Sequence, residues 1–106
     1  MNIRVKQAQV WIAVGKIQID RNVSSINNAS YAYVTVVGLY KSRIDFRKKV
    51  AEELSRVNFK LLRLEGAERF IERVARYKVE ESIHELVQEV LNSREEIKFS
   101  TFHTYN

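Results

Sequence analysis

Apolar and polar positions change period several times along the chain, and each change marks an element. Val10, Ile12 and Val14 alternate with Gln9, Trp11 and Ala13, a period of two that predicts a strand. The apolar phase then moves by one residue, to Ile17 and Ile19, with Gly15–Lys16 where a β-bulge would produce that change. Tyr31 to Val37 is β-rich with apolar character on both faces, which predicts a central strand. Between the two, Asp20–Ser30 gathers Asn22, Ser24, Ser25, Asn27, Asn28 and Ser30. Such side chains compete with the ladder for backbone hydrogen bonds and favour a loop, so the two strands form an antiparallel hairpin.

Helical spacing follows. Ser42 with Asp45 three residues on is a weaker form of the capping box, and Phe46, Val50, Leu54 and Val57 make one apolar stripe. Phe59 to Leu64 predicts a third strand, ending at Glu65–Gly66. Phe70, Ile71, Val74 and Tyr77, then Val79, Ile83, Leu86, Val87, Val90 and Leu91, predict two helices or one bent near Lys78. Ile97 to Tyr105 alternates again as a last strand.

The order β-β-α-β-α-α-β implies an α+β two-layer sandwich: a four-stranded mixed sheet with its helices on one face. A right-handed parallel crossover would join the second strand to the third. The arrangement is ferredoxin-like in general character, although no helix separates the first two strands. At 106 residues the expectation is a single α+β domain over 1–106. Such a domain buries roughly 60–70% of the surface its unfolded chain exposes.

Composition narrows the chemistry. There is no cysteine, which excludes disulfides, Cys-based zinc sites and thiol nucleophiles and fits a reducing compartment. Gln7, Gln9 and Lys16 interrupt the apolar stretch near the N-terminus, so neither a signal peptide nor a membrane helix fits, and the expected location is cytoplasmic. The net charge of +5 is unevenly spread. Residues 1–50 carry nine Lys/Arg against Asp20 and Asp45, whereas residues 51–106 carry nine against eleven Glu. A basic side attracts nucleic acid or an acidic protein.

The sharpest local pattern is Ser30-Tyr31-Ala32-Tyr33-Val34-Thr35-Val36. It resembles the octamer that RNA-recognition domains carry on a central strand, and Val10-Trp11-Ile12-Ala13-Val14 is similar to their second motif. The resemblance covers some twelve residues. The basic-glycine start and closing aromatic of the octamer are missing, and a hairpin lies where the family has a helix and a strand. It implies that Trp11, Tyr31 and Tyr33 stack on unpaired bases while basic residues hold phosphates. The competing reading is that Tyr31 and Tyr33 pack against the core or a neighbouring strand.

A basic run, Lys41, Arg43, Arg47, Lys48 and Lys49, opens the first helix. Lys48 faces Glu52, Lys49 faces Glu53 and Glu52 faces Arg56 at i,i+4, which leaves Lys41, Arg43 and Arg47 for phosphate or a partner's carboxylates. Metal chemistry is poorly supplied. Glu81 and His84 have the spacing of a di-iron helix without a second copy, and Gln88 stands where a zinc-protease motif requires its second histidine. His103 could move a proton but has only generic strand neighbours. No phosphate loop, nucleophile elbow or dinucleotide turn occurs, so no catalytic residue and no cofactor is expected.

These properties lead first to a small non-catalytic protein-binding module, such as a bacterial accessory or immunity-type (toxin-neutralising) protein with an acidic partner. The alternative is a single-stranded RNA- or DNA-binding domain. Trp11, Tyr31, Tyr33, Lys41, Arg43 and Arg47 are the candidate binding residues for either. A homo-oligomer through the hairpin edge is a separate option.

Overall fold

Strand β1 (Gln9–Ile19) pairs antiparallel with β2 (Tyr31–Tyr40), from Gln9↔Tyr40 to Gln18↔Tyr31, without a break in register. The structure, a computed structural model, describes residues 8–19, 31–93 and 96–105; the expected Asp20–Ser30 loop lies outside them. An unbroken ladder keeps one phase throughout. Trp11, Ala13, Ile17 and Ile19 all face one core, and Ile12 faces another. The expected change of phase at Gly15–Lys16 is therefore absent from β1. Val10 and Ile12 look apolar because their end of the second face is covered, whereas Lys16 and Gln18 lie on the same face where it opens to solvent.

Helix α1 (Arg43–Arg56) begins as expected, with Ser42 Oγ accepting from the Asp45 backbone N–H at 3.1 Å. Its stripe is Phe46, Val50 and Leu54, all buried, each worth about 1.5–3 kcal/mol. Val57 is exposed, because the helix ends at Arg56 and Asn58 turns the chain with φ 64°. Asn tolerates that left-handed conformation better than most residues.

The chain then enters β3 (Phe59–Arg69), five residues longer than the sequence pattern indicates. β3 pairs antiparallel with β1, and the register slips between Ile12 and Val14 and between Lys16 and Ile17. Both slips place the additional residue on β3. The inward residues of β3 are thus Phe59, Leu61, Leu64 and Ala67, a spacing of two, three and three rather than a clean alternation. Gly66, with φ 61°, sits in the second bulge, a conformation suited to glycine.

Helices α2 (Phe70–Arg76) and α3 (Glu81–Asn92) follow as two separate helices. The last strand is also divided, into β4 (Ile97–Phe99) and β5 (His103–Tyr105), both antiparallel to β2. At the break, Ser100 replaces a ladder contact with its side chain. Its Oγ accepts from the Thr35 N–H at 2.9 Å, and its own N–H donates to the Thr35 carbonyl at 2.8 Å.

The sheet order is β3-β1-β2-β4, with β5 continuing along the same edge of β2, so it is four strands wide. All its pairings among the described residues are antiparallel, which corrects the expected mixed sheet. β2 and β3 do run in the same direction, but β1 lies between them. A ferredoxin-like character is not supported. Nor do the helices share a face. Phe46, Val50 and Leu54 of α1 pack with Ala13, Ile17 and Val36, whereas Val87 and Val90 of α3 pack on Ile12 and Val37 from the other side. Among the described residues, the antiparallel sheet of this α+β fold is thus covered on one face by α1 and on the other at one end only.

Two substitutions test this packing. A Cβ at Gly38 would lie 2.5 Å from Tyr40 Cε2 and 3.1 Å from Phe46 Cε1. Gly38→Ala is therefore expected to lower unfolding free energy by about 1–3 kcal/mol in urea denaturation. Ser100→Ala removes the acceptor of the Thr35 N–H and is expected to cost about 1 kcal/mol in the same assay.

Candidate functional site

The end of the second sheet face that no described helix covers gathers the polar residues of four strands. Register places Arg63, Lys16, Tyr33 and His103 at one level across β3, β1, β2 and β5, and Lys60, Gln18 and Tyr31 at the next. Directly opposed residues share a face, so these side chains form two rows on one surface. Lys60, Arg63, Gln18 and His103 are exposed, and Lys16, Tyr31 and Tyr33 are half-buried.

Cations and rings are interleaved there. Lys16 Nζ lies 5.6 Å from the centroid of the Tyr31 ring, a cation–π arrangement. A hydrogen bond with Tyr33, and then the charge of Glu65, hold the Arg63 guanidinium more firmly in its charged form. Arg63 Nε is 2.5 Å from Glu65 Oε1. Three cations, Lys16, Lys60 and Arg63, thus stand beside two tyrosines, with Glu65 as the opposing charge.

The six residues singled out in the sequence do not come together. Tyr31 and Tyr33 lie on this surface. Trp11 is in the opposite core, only 8% exposed, with its ring centroid 6.4 Å from that of Phe46 and its Nε1–H donating to the Tyr40 carbonyl at 2.9 Å. An indole held this way has no face left for a base. Lys41, Arg43 and Arg47 are exposed at α1, behind the sheet from Tyr33, and form no ion pair among the described residues. Of the expected helix pairs, Lys49–Glu53 is present at 3.5 Å, while Arg56 meets Glu53 rather than Glu52.

The same face continues into a groove of ≈ 490 Å³. Ile12, Val14 and Thr35 form its floor, Gly66 and Glu68 one wall, and the segment joining α2 to α3 the other. α2 has seven residues and buries none of them. Isolated helices of that length do not persist in water, so it is held from outside. Arg73 Nε donates to Glu68 Oε2 at 2.6 Å and Arg73 NH2 to the Gly66 carbonyl at 2.8 Å, while Arg76 reaches the other Glu68 oxygen. Arg69 Nε meets Glu72 Oε1 at 2.7 Å and holds that carboxyl below its ordinary value. That tie is present above the ordinary carboxylate range and is lost as pH falls through the depressed value.

Neither histidine is part of a metal cluster. His84 packs edge-on against Phe70, with centroids 5.5 Å apart, and no group of three or more His, Cys, Asp or Glu that could hold a metal occurs among the described residues. No helix among the described residues is long and apolar enough to cross a membrane. The Tyr40 hydroxyl is buried without a partner among the described residues. Desolvation first, then the charges of Glu96, Glu53 and Glu52, push its pKa up.

Lys16, Lys60, Arg63 and the groove residues were not singled out in the sequence. A signal exists for Lys16 and Gln18: apolar even positions at Val10, Ile12 and Val14 give way to polar ones where the second face loses its cover. For Arg63 the bulges of β3 hide the phase.

Glu68→Ala removes the carboxylate that holds both arginines. Amide exchange in Phe70–Arg76 is expected to accelerate about tenfold, with global stability changed by less than about 1 kcal/mol. Compared with protein-family models, curated proteins and solved structures, the chain matches none.

Proposed function

We propose that the protein is a non-catalytic binding module whose ligand is single-stranded nucleic acid, held on the uncovered end of the sheet. One observation carries this reading: the row Arg63–Lys16–Tyr33–His103, which crosses four strands on one face with Tyr31 beside it. Unpaired bases stack on aromatic rings whatever their identity, and neighbouring cations hold the phosphates. Lys16 and Arg63 stand within reach of the two rings, as such a surface requires. The basic partners differ from those the sequence suggested: Lys16, Lys60 and Arg63 rather than Lys41, Arg43 and Arg47. A cytoplasmic location belongs to the same proposal.

A protein partner is favoured by a different feature. Ile71 and Val74 of α2 and Tyr77 just after it are exposed, the kind of apolar surface that marks a docking site. On this second reading the module neutralises or assists an acidic protein through α2. Replacing Ile71 and Val74 by Ser would then abolish partner binding.

Fluorescence anisotropy with labelled mixed-sequence single-stranded RNA separates the two. Binding is expected at low salt, weakening steeply as salt rises, and Tyr33→Ala is expected to cost about 1–3 kcal/mol. Arg43→Ala, on the other side of the sheet, is expected to leave affinity within about twofold. Absence of binding at low salt, or affinity indifferent to salt, contradicts the nucleic-acid reading.

A further inference from the structure

We infer that the groove beneath the α2–α3 connection receives one further nucleotide of a single strand whose preceding bases lie on Tyr31 and Tyr33; this rests on the nucleic-acid reading above. Continuity is the first ground. Thr35, on the groove floor, is the next residue after Tyr33 on the same face of β2, and Val14 is the next before Lys16 on β1. Successive same-face residues are about 7 Å apart along a strand. That step is of the order of one nucleotide's reach in an extended single strand.

Size and lining are the second ground. The volume of ≈ 490 Å³ lies within the range of small-ligand sites, roughly 300–1,000 Å³. Val14, next to buried Ile12, supplies an apolar floor on which a base can lie, and Thr35 supplies a hydroxyl. Tyr77 is 61% exposed on the rim, and the Arg76 guanidinium lies 5.5 Å from its ring centroid. This ring is a third stacking surface, on the rim of the groove that Thr35 floors. Charge is the third ground. Arg73, Arg76 and Lys78 line the groove against Glu68 and Glu80, and both arginines already hold Glu68. Lys78 is exposed, makes no ion pair among the described residues, and is the cation available to a phosphate.

Length dependence tests the inference. A uridine dinucleotide covers the two sheet tyrosines, and an octanucleotide also reaches the groove. Both are titrated against the full chain and its Tyr33→Ala, Tyr77→Ala and Lys78→Ala variants; Tyr77 and Lys78 are exposed, so the fold tolerates their loss. The octanucleotide is expected to bind more tightly, and Tyr77→Ala to weaken it at least about fivefold with a smaller effect on the dinucleotide. Lys78→Ala is expected to reduce the salt slope by about 0.7 for the octanucleotide alone. Tyr33→Ala is expected to weaken both. Equal effects of Tyr77→Ala and Lys78→Ala on the two lengths, or none on either, overturn the groove assignment while the sheet reading stands. If neither oligonucleotide binds the unmodified protein, the sheet reading fails and the groove assignment fails with it.

Discussion

Ten consecutive residues of β1 pair with ten of β2 in a single register, and this ladder determines where every other element can sit. Because side chains alternate strictly, an unbroken register assigns Trp11, Ala13, Ile17, Ala32 and Val36 to one face and Ile12, Val37 and Leu39 to the other. The first set runs the length of the hairpin and is closed by α1. The second covers only one end, so α3 closes that end and does not reach Lys16, Gln18, Tyr31 and Tyr33. The candidate surface is the part of the ladder that the helices do not reach.

What borders this surface is held differently from the core. α1 is fixed by three buried side chains, Phe46, Val50 and Leu54, whose transfer from water is worth several kcal/mol in all. α2 fully buries no side chain: only Phe70 packs, half-buried, against the α3 core, and the rest is tied to β3 by Glu68, Arg73 and Arg76. Partly exposed ion pairs are individually weak and are screened by salt, so the wall of the groove is the softer part of the molecule. The two bulges of β3 belong to the same arrangement. They turn Gly66 and Glu68 toward α2 and also break the regular row of donors and acceptors on an edge strand eleven residues long.

The elements were legible where local patterning was one-dimensional. Ser42, Phe46, Val50 and Leu54 state a capped amphipathic helix, and the hairpin follows from two β-rich runs around a polar stretch. Tertiary arrangement was less so. The phase change at Gly15–Lys16 looks like a bulge in β1, but it records the end of a covering layer, which no single strand can reveal. The bulges lie instead in β3, where Leu61, Leu64 and Ala67 follow one another at intervals of three and the strand seems to stop at Gly66. The helices were assigned to one face because nothing in the amphipathic stripes of α1 and α3 says which side of a sheet each one meets. Of the candidate site, Tyr31 and Tyr33 were legible as aromatics on a strand. The core position of Trp11 was not, since Trp suits a core and an interface equally well. Lys16, Lys60 and Arg63 come together only through register.

The measurement closest to the central claim is a map of amide chemical-shift changes as single-stranded RNA is added at low salt. The account predicts changes at Lys16, Tyr31, Tyr33, Lys60 and Arg63, reversed by high salt, with Phe46 to Leu54 unmoved. Changes centred on Lys41, Arg43 and Arg47, or none anywhere, would contradict it.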